Sequence, residues 1–187
     1  MQTEPCARTT QLLAFRSAAV TLWGTPGWQD ALELLSVETR EALVTDGLVV
    51  AVGWVPERHL MELAEAIYRG PSEGSMDIYR AFIDRVIALG FGRVRRMLVQ
   101  FASPATVLKR APELWHHDHT HGELTVELGE RTAIARLDHE VLTSTPLSRA
   151  TAAEMFRSIL TLTRAREVEQ EHDVSSTGGL EVALRWA

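Results

Sequence analysis

Residues 91–137, FGRVRRMLVQFASPATVLKRAPELWHHDHTHGELTVELGERTAIARL, are where the apolar spacing of this chain changes from that of helices to that of strands. Val94, Met97, Leu98 and Phe101 fall on one helical face, with Arg93, Arg95 and Arg96 on its flanks. Ser103-Pro104 restarts the chain as a second helix carrying Val107, Leu108 and Ala111, and Pro112 is expected to end it. Beyond Trp115 and a histidine-rich segment, Leu124, Val126 and Leu128 alternate with polar residues, as a half-buried strand requires. Gly129-Glu130 reads as a two-residue hairpin loop, which would pair Leu128 with Arg131, Val126 with Ala133 and Leu124 with Ala135 on one face.

Upstream, the pattern is helical. Residues 1–10 read as a flexible lead and 11–187 as a single domain. Leu12, Phe15, Ala19 and Leu22 mark a first helix that Gly24-Thr25-Pro26-Gly27 interrupts; Trp28, Ala31, Leu32 and Leu35 follow. Ser36 is placed to cap a short helix ending near Asp46-Gly47, although Thr39 stands where a capping box calls for Glu or Gln. Leu48–Val55, LVVAVGWV, fits a buried strand or an extended connector. Leu60, Leu63, Ala64 and Ile67 line the next helix, closed by Gly70-Pro71, and Ile78, Phe82, Val86 and Leu89 the one after.

Downstream, Thr145-Pro146 opens a helix with Ala152, Phe156, Ile159 and Leu160 inward, Thr151 with Glu154 offering an alternative capping box. Residues 166–172 and 180–186 read as a closing hairpin, with Leu180, Val182, Leu184 and Trp186 on one face and Glu167, Glu169 and Glu171 protecting an edge. The order predicts an α+β fold: a helical N-terminal half, then an antiparallel sheet of about four strands in two hairpins, with a covering helix between them.

The 187 residues are long enough to bury roughly 70% of the unfolded surface, hence a full core. A formal charge of -6 argues against broad binding to nucleic acid. A lone cysteine, Cys6, precludes an internal disulfide, and with no apolar run of membrane-spanning length the expected location is the cytoplasm.

Phe101, Ser103-Pro104, Arg110-Ala111-Pro112, Leu114-Trp115, Gly122, Leu124, Val126, Glu127 and Gly129 together resemble an uncharacterised myxobacterial domain family. That family is similar in turn to the 4-vinyl reductase, haem nitric-oxide-binding and TRAPP Bet3-like superfamily. The resemblance implies helices around an antiparallel sheet and brings no single activity, since the superfamily ranges from sensing to scaffolding. In its haem-binding members a histidine on the helix before the proline turn and a Tyr-x-Ser-x-Arg motif in the hairpin hold the cofactor. Here Arg93–Arg110 contains no histidine and the hairpin reads Val126-Glu127-Leu128-Gly129-Glu130-Arg131, with His59 and His116 as poor substitutes, so no cofactor, haem included, is expected.

Three sites merit attention. If His116–His121 is extended, His117, His119 and His121 project to one face and could bind Zn, Ni or Cu, which would make a metal-binding protein or a metal-dependent hydrolase. Arg93, Arg96 and Arg110, with Lys109, form a basic patch for an anionic ligand or acidic partner. Trp115 is a candidate wall for a small apolar ligand. With no nucleophile elbow, P-loop or dinucleotide turn, the reading is a non-enzymatic signalling or scaffold domain that binds a protein partner, or itself as a homodimer.

Overall fold

The computed structural model describes residues 4–44 and 53–187, side chains at 44 and 92–96 aside. It is α+β, as the element order predicts, and divides into two compact units, residues 1–90 and 91–187.

The N-terminal unit begins with β1 (Cys6–Arg8), where a loose lead was expected. β1 pairs antiparallel with β2 (Trp54–Pro56), Ala7 opposite Val55. Backbone bonds from Thr9 N to Gly53 O (3.1 Å) and Glu57 N to Pro5 O (3.0 Å) extend the ladder, and the Arg8 guanidinium lies 4.1 Å from the centre of the Trp54 ring. These bonds tie down the segment. Of the predicted strand over 48–55, residues 48–52 lie outside the described residues and the last two belong to β2.

α1 (Thr9–Glu33) contains the predicted interruption as a kink: Gly24 sits at φ 72°, ψ -178°, with Pro26 following. A side chain at that φ would be strained, which is why glycine holds the position. α2 (Val37–Val44), α3 (Glu57–Arg69) and α4 (Met76–Gly90) complete the unit. Phe15, Ala18, Leu60, Leu63, Ile67, Tyr79, Phe82 and Ile83 form its core, each large apolar side chain contributing about 1.5–3 kcal/mol by burial. Ile78, expected inside, is 39% exposed, and Tyr79 takes the interior place.

The start of α2 shows how a distant residue supplies what the local sequence lacks. Ser36 Oγ accepts from Thr39 N (3.2 Å), the N-cap half of the expected box. The reciprocal acceptor is Glu62 of α3, whose carboxylate takes Ser36 N (2.5 Å), Ser36 Oγ (3.1 Å) and the Thr39 hydroxyl, which also meets His59 Nδ1 at 2.7 Å. Burial raises the Glu62 carboxyl, but the bonds from Thr39 and Ser36 and the proximity of His59 outweigh it and hold the group below its usual range. His59 is held below its ordinary value by burial first and by Arg58 second, against the opposing pull of Glu38 and Glu62.

Both shifts have the same sign for stability. A depressed carboxyl stabilises above its unfolded value, about 4.3, and the contribution is lost as pH falls through the folded value; a depressed histidine favours the fold above about 6.5 and loses that contribution below it. In denaturant titrations stability is therefore expected to fall in two stages, through His59 below about pH 6.5 and through Glu62 below about pH 4.3. Glu62→Gln should cost about 2 kcal/mol at pH 7 and flatten the limb below about pH 4.3 while keeping the one assigned to His59. An unchanged acid limb in the variant would contradict this origin.

The C-terminal unit contains α5 (Gly92–Phe101), α6 (Pro104–Asp118), β3 (Glu123–Leu128), β4 (Thr132–Asp138), α7 (Pro146–Thr161), β5 (Glu169–Val174) and β6 (Leu180–Arg185). The strands form one antiparallel sheet in the order β3-β4-β6-β5. Leu124 faces Leu137 and Leu128 faces Ala133, so the hairpin is two residues out of the expected register; residues 129–131 link the strands, and Gly129 N donates to Thr132 O (2.8 Å). A shift of two preserves the face, and Leu124, Ala133, Ala135, Leu137, Leu180, Val182 and Leu184 are all buried together. α7 covers this sheet and α6 packs along β3.

α7 is capped by Thr145, which with Ser148 forms a reciprocal capping box. The alternative at Thr151 and Glu154 is not used. Thr151 Oγ1 bonds back to Leu147 O (2.8 Å), and Glu154 lies 1% exposed, its carboxylate 2.6 Å from Arg157 Nε and 3.1 Å from Gln170 Nε2 of β5. The edge strand β5 carries Glu169 and Glu171 exposed, while Glu167 precedes it at φ 49°.

Candidate functional site

α6 does not stop at Pro112. It continues to Asp118, forgoing the bond a residue with an N–H would make there, and the last turn is anchored by Trp115 Nε1 donating to His121 O at 3.0 Å. This corrects the extended reading of His116–His121. His116 and His117 are helical, His117 Nδ1 meeting Asp118 at 2.7 Å, whereas His119 is the extended cap residue and stacks on Trp115 at 3.9 Å with the rings 3° apart. His121 Nδ1 lies 2.9 Å from Thr120 Oγ1. The alternation that would align His117, His119 and His121 is broken at the helix end, and among the described residues no group of three or more His, Cys, Asp or Glu side chains is placed to hold a metal ion.

Trp115 is half-buried in this cluster of rings. His139 approaches it edge-on at 5.9 Å and is itself 2% exposed. Its Nδ1 accepts from Val141 N (3.1 Å) and Leu142 N (3.2 Å), which places the ring proton on Nε2. Gly122, at φ 84°, is required here: an added Cβ would lie 2.4 Å from the His139 ring. The tryptophan thus locks the junction of α6 with the sheet.

The feature that periodicity did not reveal is on α5. On the apolar face that helical spacing marks, Met97 is 54% exposed, Leu98 63% and Phe101 69%. Of the basic patch, the Arg93 and Arg96 side chains lie outside the described residues, and Arg110 is exposed on α6. Beyond α5, Phe101 forms part of an open cleft whose walls include Arg131, Arg164 and Trp186.

The donors available for a metal or haem iron can be placed individually. α5 holds no histidine, cysteine or tyrosine, so its only such donor is the thioether of Met97. His59, 3% exposed, is engaged with Thr39, and His116 lies exposed in the last turn of α6. His172 on β5 meets Gln170 at 3.2 Å.

No protein-family model matches the chain. No curated protein matches it. Solved structures do. The Fe(II) unliganded H-NOX protein from K. algicida aligns with a TM-score of 0.69 at 9% identity, covering 96% of each chain. The H-NOX protein from S. oneidensis in the Fe(II)NO ligation state aligns at 0.68 and 11% identity, covering 96% of this chain and 99% of the other. A structure solved in work on modulating heme redox potential through protein-induced porphyrin distortion aligns at 0.59 and 10% identity over 95% and 99%. At these identities the likeness shows a shared fold, and it supports the haem nitric-oxide-binding part of the resemblance. It also corrects the expectation of no cofactor. That expectation rested on two missing local motifs, whereas the solved structures that share the fold over nearly the whole chain include Fe(II) H-NOX proteins and one from work on heme redox potential, which stands against a reading that sets haem aside.

Proposed function

We propose that this chain is a non-catalytic sensor domain that holds a cofactor of the haem class and, through its iron, a small gaseous ligand. It would pass that occupancy to a protein partner or to a second copy of itself, in the cytoplasm. The closer resemblance to the myxobacterial domain family belongs to the same reading. The observation that carries it is the uncovered apolar face of α5, Met97, Leu98 and Phe101, in a chain that follows the H-NOX fold over 96% of its length. A run of exposed apolar side chains on an otherwise charged helix marks a surface that something else covers.

The residues fit the group in two respects. A porphyrin is a flat apolar body, and Met97 and Phe101, four residues apart on one helical face, offer it an apolar seat with Leu98 beside them. Thioether sulfur is also one of the axial donors that protein haems accept, which makes Met97 the candidate ligand on this helix. Bound haem would supply an iron with an open position for a diatomic gas. The chain's part is to seat the macrocycle, keep water from its apolar edge and furnish the sulfur.

Titrating hemin into the purified protein and following the absorbance of its main visible band tests this reading. The expected result is saturable binding of one hemin per chain. Met97→Leu, which keeps volume and apolarity, should retain binding while altering the spectrum, because a ligand and not the seat is lost. Absence of saturable binding would sink the proposal and leave the α5 face to a protein partner, the other occupant its exposure favours.

A further inference from the structure

The open cleft in the C-terminal unit has a volume of ≈ 360 Å³, at the small end of the roughly 300–1,000 Å³ common for ligand sites. Its walls come from four places: the turn between α5 and α6, the tip of the β3–β4 hairpin, the residues after α7 and the end of β6. Phe101 and Trp186 give it aromatic surface; Arg131 and Arg164 give it charge. Neither guanidinium enters an ion pair among the described residues, and Arg164 instead lies 5.8 Å from the centre of the Phe101 ring. Glu130 is the one acidic side chain on the lining, which Ala187 also joins. The Ser103 hydroxyl is committed to the start of α6, accepting from Thr106 N at 3.2 Å and lying 2.8 Å from Thr106 Oγ1. The donors facing a ligand are therefore the two arginines.

Two guanidiniums beside two aromatic faces complement a flat ring that carries a carboxylate. The fork geometry of arginine takes both carboxylate oxygens, and aromatic walls take the ring. We propose that this cleft binds a small planar aromatic carboxylate, as a site additional to the α5 face. The inference goes beyond the haem-class reading and does not require it, although Phe101 is common to both surfaces.

Isothermal titration with indole-3-acetate as probe tests it, with the neutral indole-3-acetamide as control. One acetate is expected per chain. The amide, and the acetate on an Arg131→Gln/Arg164→Gln variant of unchanged circular dichroism, should each bind at least about tenfold more weakly. Equal affinity for acid and amide, or an unchanged affinity in the double variant, would overturn the proposal, as would no binding at millimolar probe. Hemin separates the two carboxylate sources. Because Phe101 is common to both surfaces, hemin should weaken probe binding while the double variant still takes up hemin; a double variant that loses hemin as well would show that the carboxylates read here are those of the cofactor and refute the separate site. A chain that binds the probe but never hemin would uphold this inference while the haem-class reading fails.

Discussion

Replacing Phe82 by alanine lowers the unfolding free energy of the chain by about 3–5 kcal/mol. Phe82 is fully buried in α4 and central to the aromatic cluster of the N-terminal unit. Phe15 meets it edge-on at 5.4 Å, Trp23 stacks at 5.6 Å and Tyr79 at 5.9 Å, with Tyr68 continuing the cluster through Tyr79. Truncation forfeits the transfer energy of the ring, leaves a cavity, and removes three ring pairs worth about 0.5–1.5 kcal/mol each beyond area. Urea denaturation followed by tryptophan fluorescence and by circular dichroism measures the change. Phe82→Leu, which refills much of the space, should recover more than half of it; a loss below about 1 kcal/mol in the alanine variant would mean that the site collapses around the gap.

The second large effect is expected at Glu154. Its carboxylate is almost wholly inside, with Arg157 one turn further along α7 and Gln170 on β5 as partners. Removing the acid takes the carboxylate at 2.6 Å from the Arg157 guanidinium, whose side chain is 13% exposed, and breaking a buried pair in this way costs about 3–5 kcal/mol. Replacing both members by apolar residues removes the two buried charges together. Glu154→Ala should therefore be much worse than Glu154→Leu/Arg157→Met, which is expected to lie within about 1–2 kcal/mol of the parent. Because Gln170 also loses its acceptor, amide exchange in β5 should accelerate in Glu154→Ala. Equal destabilisation by the single and double changes would show that the pair itself, and not the charge left behind, carries the energy.

The sheet was legible because its signal is local. Leu124, Val126, Leu128 and Leu180, Val182, Leu184 alternate with a period of two, and a register error of two residues left every one of them on its face. The kink at Gly24 was legible for a similar reason, since glycine and proline punctuate the chain by their own sterics. What was lost depended on residues far apart in sequence. Glu62 completes the cap of α2 across 26 residues, and Glu154 imitates a capping box while bonding Gln170, 16 residues away. Pro112 looked like a stop, but propensity is a weak prior, and α6 runs through it to Asp118.

The candidate site divides along the same line. Helical spacing identified the apolar side of α5 but carries no information on whether anything covers it, so the exposure of Met97, Leu98 and Phe101 became visible only in the structure. The histidine segment suggested metal ligands through an extended geometry that the last turn of α6 does not adopt. Arg131 and Arg164, 33 positions apart, had no reason to be grouped before the fold brought them to one cleft. The likeness to haem domains, at 8–11% identity across the solved structures, resides in backbone architecture and not in side-chain motifs.

The most direct test of the sensor reading is the haem content of the chain purified from cells supplied with iron and 5-aminolaevulinate, measured by absorbance in alkaline pyridine. The expected result is about one haem per chain in the parent. A colourless protein that also fails to take up hemin in vitro would contradict the reading.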